Sequence, residues 1–257
     1  MLSQTKLRAF LTPIAFYRAI KGSYSLDQIR AFTYGAPLSD NEWQDACDLY
    51  KKYLPEEQER NLIQTKKHLE LKENLASNIK KLKRIVQTIP EITDVLLVNS
   101  YSLGALKPTS DIDLVVICEP KLLWWARLKL TAALEKAGLR RKPGHIEEQI
   151  CLSFFVTADG INMQKIALDE DLYLHYWLAN VIPLFGKHRT DWLVQNQWIK
   201  KPLPALITKG SPSQKNKQFP FVSYLANQLV RIPMLARSRK KAKALGSIAF
   251  LNHTIIV

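Results

Sequence analysis

Residues 98–117 read VNSYSLGALKPTSDIDLVVI, a turn followed by a strand that opens on two acids. From Asp111 to Ile117 the remaining residues are apolar and mostly β-branched, which is a strand pattern, and Gly104 and Pro108 mark the turn before it. Period two places Asp111 and Asp113 on one face of that strand, with Ile112 and Leu114 packing on the other. Two carboxylates a few ångströms apart repel unless a cation lies between them. Hard oxygen donors of this kind suit Mg²⁺, which keeps waters and takes its remaining ligands from substrate phosphates. A bare Asp-x-Asp carries little weight, because chance supplies about one such spacing in a chain of this size. Its position at the head of an apolar strand is what gives it meaning. The bland alternative is a surface turn with two solvated carboxylates.

On either side of this stretch the period changes. Asp94 to Val98 reads as a short apolar strand, preceded by a Lys-rich helical pattern from Leu69 to Ile89 that Pro90 ends. Lys121 to Gly138 reads as a helix closed by a C-terminal glycine, and Ile150 to Val156 as a third strand. Asp159-Gly160 is a turn signal, and Ile161 to Ile166 alternates like the partner strand of a hairpin. Helices interleaved with strands make the fold class α+β.

The first third is helical. Ser25 and Gln28 fit a capping box, and Ser39 or Asp40 caps a further helix that Pro55 stops. Three short helices in this order suit a small helix-turn-helix or winged-helix-like module. After Asp169 the pattern is helical again, with a polar loop or linker at Lys209 to Lys217 and a helical segment from Phe221 to Leu245 that Pro233 kinks or splits. The expected organisation is residues 1–68 as a helical module, 69–168 as the sheet-bearing domain with its leading helix, and 169–257 as a C-terminal helical region with a basic tail.

With 47% hydrophobic and 23% charged residues the chain is neither disordered nor low-complexity. Its longest apolar runs are too short for a transmembrane helix. Thirty-seven Lys+Arg against 23 Asp+Glu give a net charge of +14, which attracts polyanions. The densest basic run is Arg237, Arg239, Lys240, Lys241 and Lys243, a candidate contact for RNA, DNA or an anionic surface, or a simply exposed charged segment. Arg140, Arg141 and Lys142 precede a Pro-Gly turn and suit either a steering role or a solvated loop. Three cysteines without a CxxC pair imply no disulfide framework and a reducing, cytoplasmic compartment, with Cys118 and Cys151 read as small buried thiols. The five histidines show no metal-ligand spacing among themselves.

The order Ser100, Gly104 and Ser110-Asp111-Ile112-Asp113-Leu114 resembles the fingerprint of the DNA polymerase β-like nucleotidyltransferase superfamily. The resemblance implies a small mixed sheet of the nucleotidyltransferase type, flanked by N-terminal and C-terminal helical segments. It further implies an Mg²⁺-dependent enzyme, Mn²⁺ being the alternative ion, that moves a nucleoside monophosphate from an NTP to an acceptor hydroxyl. Asp111 and Asp113 would hold the metal, and Asn99, Ser100, Lys107 and Ser110 would contact the nucleotide. Asn99 replaces the usual glycine, and Asn tolerates the left-handed backbone that such a turn requires. The family's third carboxylate sits on a later strand, yet Ile150 to Val156 has none; Ser153 takes the expected place, and Glu147 or Glu148 serves if the strand starts earlier. A non-catalytic nucleotide- or nucleic-acid-binding adaptor on the same fold is the alternative.

Overall fold

The computed structural model describes residues 2–186, 189–206, 218–244 and 254–256. Its strands are β1 (Ile92–Leu97), β2 (Ile112–Cys118), β3 (Ile150–Thr157), β4 (Ile182–Phe185) and β5 (Thr254–Ile256). They form one mixed sheet in the order β4-β1-β2-β3-β5. The central strand β2 is antiparallel to β1 and parallel to β3, and the β2-to-β3 crossover carries the helix α6 described below. The fold is α+β, with a mixed sheet and helices at both ends of the chain.

The helices are α1 (Gln4–Ala19), α2 (Leu26–Ala31), α3 (Asp40–Tyr53), α4 (Pro55–Gln87), α5 (Asn99–Ser102), α6 (Leu123–Lys136), α7 (Leu172–Ala179), α8 (Arg189–Gln195) and α9 (Phe221–Ala244). Beyond its first residues β2 is buried on both faces, so its run of Leu, Val and Ile serves two cores. Ile112, Leu114, Val116 and Cys118 pack with Leu75, Leu82 and Val86 of α4 and with α6. Val115 and Ile117 pack on the opposite face with α1–α3, α7 and α8. Each such side chain contributes about 1.5–3 kcal/mol on burial, which fixes the register of the strand and therefore the face on which the two aspartates emerge.

Short-range chemistry explains the helical ends. Ser3, Ser25 and Ser39 each accept a first-turn amide, and at Ser25 and Ser39 the box is completed by Gln28 and Glu42. Pro55 ends nothing by itself: it occupies the first turn of α4, where a missing N–H costs no hydrogen bond. The helix therefore begins well before Leu69 and runs unbroken across residues 68 and 69. Its first turns are tied to the N-terminal helices. Glu57, buried, pairs with Arg60 at 2.6 Å and accepts from the Tyr24 hydroxyl at 3.0 Å, and Arg60 also donates to the Gly22 carbonyl. Between residues 2 and 91 all regular structure is helical, so the module expected to resemble a winged helix has no β-wing among the described residues.

Two further expectations change. Residues 161–166 do not form a hairpin strand; Met163–Ile166 is a 3₁₀ turn. The Asn162 side chain accepts from the Gln164 amide at 2.9 Å and the Asn196 side chain from the Met163 amide at 2.8 Å, so side chains satisfy amides that a ladder would otherwise use. The antiparallel neighbour of β3 is instead β5. The strand β4 carries Pro183, which an edge strand tolerates, and lies in a segment that reads as helical.

Gly104 shows how closely the N-terminal module approaches the motif. Its φ is +69°, and a Cβ there would lie 2.5 Å from the Ser23 carbonyl oxygen. The Ser23 amide donates to the Gly104 carbonyl at 3.0 Å. Gly138, which follows α6, has φ +66° but open space around it. Gly104→Ala should therefore lose about 2–4 kcal/mol in urea unfolding, whereas Gly138→Ala loses only about 1 kcal/mol. Equal losses would mean that backbone conformation alone, and not the docking of Ser23, constrains residue 104.

Candidate active site

Asp111 and Asp113 emerge at the start of β2 on the same face, both half-buried, as period two requires. On the neighbouring parallel strand, Cys151 is the register partner of Asp113. The ligand atoms of Asp111, Asp113 and Cys151 lie within 4.8 Å of one another. Just beyond this point the β2–β3 register shifts: Val115 faces Phe154, so β3 has one residue more than β2. The bulge explains why alternation misassigns this strand. In an unbroken strand Cys151 shares a face with Phe155; here Phe154 and Val156 join the core on the Val115 side, and Phe155 joins the opposite one.

Charge is balanced by Arg141, from the loop between α6 and β3. Its Nη1 donates to Asp111 Oδ2 at 2.6 Å and to Cys151 Sγ at 3.4 Å. The Cys151 thiol also hydrogen-bonds Asp113, and burial first, then the Asp113 charge, pushes it up to about 11. Its bond to Cys151 and the Asp111 charge in turn raise the Arg141 guanidinium. Burial, and after it the charge of Asp113, raises the Tyr173 phenol on α7, an electrostatic link between that helix and the carboxylates.

The turn before β2 is shaped by residues that the sequence assigned to the nucleotide. Asn99 has φ +53°, the left-handed conformation expected for a residue in place of glycine. Its side-chain oxygen accepts the Trp177 indole N–H at 2.7 Å, which pins α5 to α7. Ser110 Oγ accepts the Lys107 amide at 3.0 Å, and the Ser110 amide donates to the Lys107 carbonyl at 2.9 Å, closing the turn that delivers Asp111. The Lys107 side chain is exposed and Ser100 is half-buried at the start of α5. Glu147 and Glu148 are exposed, and among the described residues neither joins the group formed by Asp111, Asp113 and Cys151. Glu148 serves through its backbone: at φ +59° its amide donates to the Ser110 carbonyl and its carbonyl accepts from Asn78. The structure thus brings together Asp111, Asp113, Cys151 and Arg141. The last two were visible in the sequence only as a small buried thiol and a basic loop.

Residues 79–149 match the family model described as a nucleotidyltransferase domain. This segment is similar to a nucleotidyltransferase domain. It runs from the last turns of α4 through β2 and α6 and stops short of β3, so both aspartates fall inside the match and Cys151 falls outside it. No curated protein matches the chain. A solved structure described as a toxin-antitoxin with AMP-PNP shares 18% identity over 63% of this chain and 95% of its own, with a TM-score of 0.25. The assignment rests on the family match and on the geometry of β2.

A raised thiol stays protonated at neutral pH, so Cys151 should alkylate slowly at pH 7–8 and accelerate toward pH 11. Peptide-resolved iodoacetamide labelling across this range measures it. Asp113→Asn removes a negative neighbour and should speed labelling of Cys151 at pH 8; an unchanged rate would show that the carboxylate does not act on the thiol.

Proposed function

We propose that the chain transfers a nucleoside monophosphate from an NTP to an acceptor hydroxyl, using a divalent ion, Mg²⁺ or Mn²⁺, held by Asp111 and Asp113. The observation that carries this reading is the pair of half-buried carboxylates on one face of β2, within the segment that matches the nucleotidyltransferase family. The two aspartates suit such an ion: as hard carboxylates they share a face, and a cationic guanidinium already neutralises one of them. Bound there, the ion would stabilise charge on the leaving pyrophosphate and lower the pKa of the acceptor hydroxyl. The protein's part is positional. Asn99 and Ser110 hold the turn, which leaves the Ser100 hydroxyl and the Lys107 ammonium for phosphate oxygens. Arg141 must release Asp111 when an ion binds, and its guanidinium is then available to the triphosphate.

Thermal melts test the site without knowledge of the acceptor. A ligand that binds only the folded state raises the melting temperature, so NTP with Mg²⁺ or Mn²⁺ should raise it by several degrees in the wild type. Asp111→Asn and Asp113→Asn should each abolish that shift and, with labelled NTP and fractionated cell extract, all transfer. Identical shifts in the three proteins would remove the metal role from these residues. The adaptor reading, which the absence of Glu147 and Glu148 from the cluster favours, would then lead.

A second element of the proposal is a polyanionic partner, RNA, DNA or an anionic surface. Residues 192–257 contain eleven basic and no acidic residues, a one-sided charge that the rest of the chain lacks. The side chains of Arg237, Arg239, Lys240, Lys241 and Lys243 lie outside the described residues, although the backbone of α9 is helical through Ala244. No helix among the described residues is long and apolar enough to cross a membrane. The setting proposed for the chain is a reducing cytoplasm, on its three cysteines without a CxxC pair. Binding to a polyanion should weaken steeply with salt because neutralised phosphates release counterions, and Arg239→Ala with Lys240→Ala and Lys241→Ala should flatten the slope. An unchanged slope would return the run to ordinary solvated surface.

A further inference from the structure

The donor set at the centre is not the all-oxygen set that an Mg²⁺ site uses. We propose that Cys151 is the third protein ligand of the ion and that its sulfur shifts the preference of the centre from Mg²⁺ toward thiophilic divalent ions, Zn²⁺ and Co²⁺ above all. The inference rests on the reading of Asp111 and Asp113 as metal ligands and adds the identity of the third ligand and of the ion.

Three observations carry it. The register pairs Cys151 with Asp113 across adjacent parallel strands, so the backbone itself brings sulfur and carboxylate to one face. The bulge follows Cys151 directly, and among the described residues Cys151 is the one that β3 contributes to the group. Between Asp111 Oδ2 and Cys151 Sγ, finally, lies a positive charge, the Arg141 Nη1, 2.6 Å from one and 3.4 Å from the other. A cation is thus already bridged by oxygen and sulfur, and a metal ion replaces it. Cys118 offers a contrast in the same sheet: it is wholly buried in the core, away from the carboxylates.

Two carboxylates and one thiolate leave an open position, an arrangement that zinc-type ions accept with a water or a substrate oxygen as the remaining ligand. Magnesium gains nothing from sulfur and dehydrates reluctantly. Ligation forms one metal–sulfur bond and releases the thiol proton to solvent, with no change of oxidation state.

The test is a Co²⁺ titration of the full chain, followed by near-ultraviolet absorption and by proton release. Wild type should develop a thiolate-to-cobalt charge-transfer band that saturates at one ion per chain. Cys151→Ser should lose the band and bind Co²⁺ about tenfold more weakly or worse, and Cys151→Asp should lose the band and gain Mg²⁺ affinity by a similar factor. Far-ultraviolet melts confirm that each variant is folded, and Cys151→Ala replaces the serine variant if that one is not. Co²⁺ binding in the wild type without the band, or a band that survives Cys151→Ser, overturns the proposal. Asp111→Asn separates the two claims. If it abolishes Co²⁺ binding while Cys151→Ser changes nothing, the carboxylate site stands and the cysteine ligand falls. If neither variant alters binding, the carboxylate reading falls with it.

Discussion

Two like charges at the head of a strand that is otherwise buried on both faces are the demand that shapes this molecule. Such a strand must be fixed in register, or the carboxylates would rotate into the core, where an unpaired charge costs several kcal/mol. The two cores fix it. Ile112, Leu114, Val116 and Cys118 lock one face, and Val115 and Ile117 the other. The remaining repulsion is handled locally, by the guanidinium of Arg141 on Asp111 and by the hydrogen bond between the Cys151 thiol and Asp113. With the Arg141 side chain still 42% exposed, this pair does more to organise the loop between α6 and β3 than to stabilise the fold.

What the sequence shows follows from how regular each element is. The strand β2 and the turn before it are visible because period two and the Gly-Pro punctuation hold without interruption. Ser25 and Ser39 mark their helices because a capping box is a local device that needs no tertiary context. The site is half visible for the same reason. Asp111 and Asp113 obey the period, whereas Cys151 hides behind a bulge that the residues Leu152 and Ser153 do not announce. Once a strand gains a residue, alternation assigns the later side chains to the wrong face, as Phe154 and Phe155 show. The strand β4 is hidden because four residues that include a proline carry no period at all. The start of α4 is hidden because Pro55 reads as a stop and is also the preferred first residue of a helix. Residues 161–166 mislead in the opposite sense: they alternate, but Asn162 and Asn196 give their amides better partners than a neighbouring strand.

The role of the N-terminal helices can be argued from what they touch. Ser23 abuts Gly104 within the turn that precedes the aspartates, and Arg60 on α4 holds the carbonyl of the adjacent Gly22. On the far side, the Tyr17 hydroxyl and the Gln28 side chain both donate to Asn180 at the end of α7, and Trp177 of that helix donates to Asn99. His175, which packs on Trp198 and bonds Tyr34, adds a further tie between α7 and the N-terminal module. The turn from Asn99 to Ser110 is therefore gripped from two directions by elements that supply no charge to the centre. Polar pairs buried at these contacts are satisfied, and a satisfied buried network specifies one geometry more strictly than apolar packing does. On the proposed function this turn presents a hydroxyl and backbone amides to a phosphate, and it gains from that constraint, because groups held in place before the ligand arrives lose less freedom when it binds. The helices ahead of the sheet are, on this argument, part of the site's scaffold, and the unbroken helix α4, one end on Tyr24 and the other under β2, is the strut that joins them.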